Sequence, residues 1–96
     1  MSVRFHPEAE EDLTAAIDYY EGCEAGLGED FALEVAAVLR NVASFPLAWP
    51  VVEDGMRRCL INRFPYALLY DIEDNGIHVY AVGHLSRQPG YWRHRR

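Results

Sequence analysis

Polar and apolar positions along the chain predict two helices followed by a sheet. In residues 7–20, Ala9, Leu13, Ala16, Ile17 and Tyr20 recur at helical spacing and predict a helix with one apolar stripe. Pro7 suits its first position, where the missing N–H has no helical partner to lose. Glu8, Glu10, Glu11 and Asp12 follow in the turns where the helix dipole favours carboxylates. A second stripe, Phe31, Val35, Val38, Leu39, Val42 and Phe45, predicts a helix across "GLGEDFALEVAAVLRNVASFP". Glu29 and Asp30 sit near its start and Pro46 stops it. Gly22 and Gly26 bracket the short gap, so the two helices should pack as an antiparallel hairpin.

The rest reads as strand. "SVRF" at 2–5 is a short strand ahead of the first helix. "PLAWPVVEDG", residues 46–55, holds two prolines and a closing Asp-Gly and reads as a loop that carries the chain to the sheet. "MRRCLI" is a strand, and "NRFP" is a turn because Pro65 biases Phe64 away from helix. "YALLYDI" is nearly apolar throughout, which places it centrally. "EDNG" contains Asn-Gly, a hairpin signal, and "IHVYAVGHL" returns as the partner strand. Period two puts His78, Tyr80, Val82 and His84 on one face of that strand. Pro89-Gly90 breaks it before "YWRHRR". The expected fold is α+β: strand–helix–helix–strand–strand–strand, a helical hairpin packed on a small antiparallel sheet. Leu13, Ile17, Phe31, Val35, Leu69 and Val79 are assigned to its core.

Ninety-six residues, half of them hydrophobic and a quarter charged, are enough for one folded domain, 1–96. Residues 1–20 lack a basic start followed by an apolar run, and no stretch approaches the roughly 20 apolar residues of a membrane span. A cytoplasmic protein is expected. Cys23 and Cys59 are far apart in sequence and suggest no disulfide framework.

Charge changes the picture. Residues 1–54 hold twelve Asp or Glu and two Arg; residues 55–96 hold three Asp or Glu and seven Arg. Every basic side chain except histidine is arginine, whose fork matches phosphate and carboxylate as lysine does not. An acidic half and a basic half suggest two faces with different roles, and the tail from His84 to Arg96 reads as the working face.

The candidate chemistry lies in that basic half. Arg57 and Arg58 are adjacent on a strand, so they point to opposite faces and at most one can serve a site. Arg63 lies in a turn, Arg87 follows the last strand, and His84 stands at its end. Tyr91 and Trp92 are aromatic groups in the tail, suited to anchoring it, and Arg93 and His94 follow. The histidines and cysteines show no metal-ligand spacing, "GCEAGLG" lacks the Lys and Ser/Thr of a phosphate loop, and no cofactor is implied.

Four strings, "FHPEAEEDL", "GLGEDF", "FPLAWPVVEDGMRRCLINRFPYALLYDI" and "HLSRQPGYWRHR", in this order and over essentially the whole chain, resemble the RelE/ParE toxins of bacterial toxin–antitoxin systems. Proline-flanked Trp49, "RFPYALLYDI" and "HLSRQPGYW" are more similar to the ParE branch. The resemblance implies a non-enzymatic toxin that inhibits DNA gyrase by binding, blocks replication and is neutralised by a cognate antitoxin in a toxin–antitoxin hetero-oligomer. The alternatives it implies are a ribosome-dependent messenger RNA endoribonuclease, in which His84, Arg87 and Tyr91 would be catalytic, and a folded member that has lost toxicity. The absence of lysine removes the base of the lysine-dependent nucleases. Under the binding reading, Arg57, Arg58, Arg63, His84, Arg87, Tyr91, Trp92 and Arg93 are the target- or antitoxin-binding set. Exposed apolar surface for the antitoxin is expected near Trp49, Tyr19 or Tyr20.

Overall fold

A computed structural model describes residues 1–96. The chain runs β1 (Ser2–Phe5), α1 (Pro7–Cys23), α2 (Leu27–Ser44), β2 (Val51–Glu53), β3 (Met56–Leu60), β4 (Tyr66–Glu73), β5 (Gly76–His84) and a final 3₁₀ turn, Arg93–Arg95. The five strands form one sheet in the order β1-β5-β4-β3-β2, so the apolar "YALLYDI" strand is the central one. β3, β4 and β5 form the antiparallel meander expected from the sequence. β1 pairs parallel to β5 at one edge, which makes the sheet mixed.

Both helix starts follow from local chemistry. His6 caps α1, its Nδ1 accepting from Glu8 N–H at 3.1 Å, and Pro7 opens the first turn. The carboxylate of Glu21 caps α2, accepting from Gly26 N–H at 3.0 Å and Gly28 N–H at 3.1 Å. A carboxylate is stabilised there by the free amides and the helix dipole. A Cβ on Gly28 would stand 2.7 Å from Ile17 O, so the glycine lets the helices of the hairpin touch.

The apolar stripes of the two helices cover one face of the sheet. Phe31, Val35 and Val42 pack there on Leu68, Tyr70, Ile77 and Val79, with Leu13, Ile17 and Tyr20 at the margin. Each such buried side chain contributes about 1.5–3 kcal/mol. Phe45 is an exception to the predicted stripe: it caps the C-terminus of α2 and is exposed. The opposite face carries a second, smaller cluster, Met56, Leu69, Tyr80 and Ala81, and Trp92 of the tail closes it. The molecule is thus layered as helices, sheet and tail.

Three local features differ from expectation. Residues 51–53 form an edge strand rather than loop, joined to β3 by Asp54 and Gly55, both with positive φ. That is the Asp-Gly hairpin turn, which the twist of the flanking strands favours. In the β4–β5 hairpin the two positive-φ residues are Asp74 and Asn75, so Gly76 begins the strand instead of filling the turn. The third is a bulge: Leu69 pairs with Ala81 and Tyr70 with Val79, leaving Tyr80 as an extra residue. Strand alternation resets at that point. His78 and Tyr80 lie on the tail side, whereas Val82 turns to the helix side and His84, at the strand end, meets Tyr66 there while also bordering the tail, so the four do not share one face.

Candidate functional site

The largest gathering of the predicted residues is a cleft of about 280 Å³ at one end of the sheet. Arg58 of β3, His84 of β5, and Arg87, Tyr91 and Trp92 of the tail line it, with Glu53, Val52 and Leu69. Arg57 is not among them. As its strand position requires, it faces the helix side, where its guanidinium donates to Trp49 O at 2.6 Å and Leu47 O at 3.4 Å and holds the proline loop. Arg63, in a left-handed turn, stands 3.6 Å from Asp30 and 3.8 Å from Glu34 of α2, away from the cleft. Arg93 is ion-paired with Glu53 at the rim.

The tail is built into the protein by its charges. Arg95 is the centre: its side chain is only 4% exposed, and it donates to Asp12 at 2.7 and 3.3 Å and to Tyr80 O at 2.9 Å. Its Nε, with no well-aligned hydrogen-bond acceptor, stands 3.2 Å from Glu8 Oε2. His94 meets Glu8 at 2.7 Å and Arg96 meets Asp71 at 2.5 Å. Arg87 approaches Asp12 at 3.5 Å and lies 3.9 Å from the centre of the Tyr91 ring. The acidic and basic segments, read from the sequence as faces with separate roles, therefore meet and neutralise one another. The tail arginines are held by carboxylates of α1, β2 and β4. Sequence reasoning missed this because nothing in the spacing of Glu8 and Asp12 announces a partner more than eighty residues on.

Within the cleft, the groups are individually constrained. His84 Nδ1 accepts from Ser86 N–H at 3.0 Å and contacts Ser86 Oγ at 2.8 Å. The His84 ring stands edge-on to Tyr66, 5.2 Å between centres. Tyr91 packs against Gly83, where a Cβ would overlap its hydroxyl. Burial pushes its phenol above the ordinary range, partly opposed by Arg87 and Arg95. Arg58 has no carboxylate partner, so it is the one cleft arginine left to meet a ligand.

A second polar group lies at the far end of the same face. Tyr80 donates its hydroxyl to Glu73 at 2.5 Å, and His78 Nδ1 lies 3.3 Å from the same carboxylate. Burial and Glu73 push the Tyr80 phenol up to about 12. The hydrogen bond from Tyr80 holds Glu73 below its ordinary value. Both cysteines are free thiols; Cys23 is exposed, and burial raises Cys59 to about 11. No three His, Cys, Asp or Glu side chains come together as a metal ion would require. No helix is long and apolar enough to cross a membrane.

Comparison with known proteins bears on what such a molecule does. The family model described as ParE toxin of type II toxin-antitoxin system, parDE, matches residues 3–89. That match covers the sheet, the hairpin, Arg58, His84 and Arg87, and ends just before Gly90 and the anchored tail. Among solved structures, one described as the chromosomal ParDE TA system from P. aeruginosa superposes with a TM-score of 0.71 at 18% identity, over 88% of this chain and 95% of that one. At that identity the likeness concerns the fold. No curated protein matches the sequence.

Proposed function

This chain belongs to the ParE toxin family of type II toxin–antitoxin systems, and on that premise we propose that residues 1–96 act as one toxin domain in the cytoplasm. The toxin binds DNA gyrase, stalls replication and arrests growth until a cognate antitoxin sequesters it. The observation that carries the non-enzymatic part of this reading is the state of His84. A base that attacks RNA must take a proton from the ribose 2′-hydroxyl. The Nδ1 lone pair of His84 is already taken up by Ser86 N–H at 3.0 Å. The arginines that would steady charge on phosphorus are for the most part committed to Asp12, Glu8, Glu53 and Asp71. A binding surface needs neither a free base nor several free cations.

One observation favours a second reading, messenger RNA cleavage on the ribosome: Arg58, His84, Arg87 and Tyr91 line one cleft. Incubating the purified chain with translating ribosomes and mapping RNA ends separates the two. The binding reading predicts no codon-phased cuts, and such cuts would establish the nuclease.

A further inference from the structure

The last seven residues are fastened to the rest of the protein by side chains alone. Each hydrogen bond made by the backbone of residues 90–96 stays within residues 88–96, such as Arg93 N–H to Gly90 O and Arg95 N–H to Trp92 O. No ladder joins the tail to the sheet. It is held by Trp92, which closes over Met56, Leu69, Tyr80 and Ala81, and by four charged side chains paired with carboxylates of α1, β2 and β4. A segment held in this way can leave as a unit, because its departure breaks no strand pairing.

The fastenings are unequal. Arg93–Glu53 and His94–Glu8 lie open to water, so each contributes little and both weaken with salt. Arg95 alone is buried, between Asp12, Glu8 and Tyr80 O. If the tail leaves, no charge is stranded: Arg95 departs with it, and Asp12 keeps Val82 N–H at a β5 edge now open to water. The segment also begins at a hinge. Gly90 follows Pro89 with a φ of +80°, and a Cβ there would overlap the Arg93 guanidinium. Glycine is the residue that takes this conformation without strain.

From these observations we infer that residues 90–96 are a displaceable strap, which when closed hides the apolar outer face of the sheet and walls one side of the cleft, and which opens as a unit about Gly90 while the five strands stay paired. The closed state prevails at low salt, where the basic segment lies on its carboxylates. In the open state Met56, Leu69 and Ala81 face solution, and the cleft loses Tyr91 and Trp92 from its wall. The opening equilibrium of the strap thus regulates access to both surfaces. The strap begins just past the family match, which ends at residue 89, and the inference stands apart from the toxin reading.

Hydrogen exchange of the full chain tests this. A single 3₁₀ turn does not persist once detached, so the Arg93 and Arg95 amides report opening. They should exchange at least about a hundredfold faster than the amides of β4, which wait for global unfolding. Raising salt from about 0.02 M to about 1 M should speed the tail amides about tenfold and leave β4 within about twofold. Gly90→Ala should speed the tail amides about tenfold at constant salt, the cost of a side chain in the left-handed region. A second measurement reads the uncovered face. In a Cys23→Ser, Ala81→Cys chain, a neutral alkylating reagent should modify the introduced thiol at least about a hundredfold faster than Cys59, which is buried on the helix side. Tail amides that exchange no faster than those of β4, or an introduced thiol no more reactive than Cys59, overturn the inference, since the tail then opens only when the whole chain unfolds. Tail exchange indifferent to both salt and Gly90→Ala overturns it too. If Ala81→Cys does not fold, exchange in the wild-type chain decides alone.

Discussion

Asp12 and Arg95 stand 83 residues apart and meet at 2.7 Å over the edge of β5. Strand β1 pairs with β5 only as far as Val79, and the chain then leaves for α1. Beyond that point Asp12 accepts from Val82 N–H at 3.1 Å and Arg95 donates to Tyr80 O at 2.9 Å. Two side chains thus do for residues 80–82 what a longer β1 would have done, and one ion pair ties the first helix, the sheet and the tail together.

Asp12→Ala should therefore be among the most destabilising single changes in the chain. The Asp12 and Arg95 side chains are 10% and 4% exposed, and removal of one partner leaves the other charged and buried. The expected loss is about 3–5 kcal/mol, measured by urea unfolding. Arg95→Met in the Asp12→Ala background should cost much less than Arg95→Met alone, because the two residues act as a unit.

Gly83→Ala should unseat the tail. The added methyl group would overlap the Tyr91 hydroxyl, so the phenol must leave its place. A cost of about 1–3 kcal/mol is expected for overpacking at this site. The double variant Gly83→Ala, Tyr91→Ala should be no less stable than Tyr91→Ala alone, as thermal melts of the three variants will show.

Stability should depend on pH through Tyr80 and Glu73. Glu73 titrates below its ordinary value of 4.5 in the folded chain, chiefly because Tyr80 donates to it. Its contribution is present above about 4.5 and is lost as pH falls through the lower folded value. Tyr80 titrates at about 12 instead of 10.0, so its contribution is present below 10 and lost as pH rises toward 12. Tyr80→Phe should flatten the unfolding profile at both ends, read by urea midpoints across pH.

Much of this architecture is legible in the sequence. Both helix stripes, the stops at Pro46 and Pro65, and the central position of "YALLYDI" follow from periodicity and turn chemistry. The strand Val51–Glu53 was legible too, since Asp54-Gly55 beside apolar residues is a hairpin signal; the prolines before it pointed to a loop. The bulge at Tyr80 was not legible, because no local residue marks it. Nor was the fate of the tail. Strand parity separates Arg57 from Arg58 but cannot say which faces the cleft, and no short-range rule pairs Arg95 with Asp12. Long-range ion pairs are decided by where the fold brings the chain ends, and sequence spacing does not carry that information.

His84→Gln should leave toxicity unchanged. If His84 served as a general base, its loss would cost about 10²–10⁴ in rate, and growth arrest on induction would disappear.

The most direct measurement is a titration of the purified chain into a gyrase supercoiling assay on relaxed plasmid DNA. The account predicts that supercoiling falls in proportion to added toxin, saturates near equivalence with gyrase, and returns when the antitoxin is added. Undiminished supercoiling at a large excess of folded toxin would contradict it.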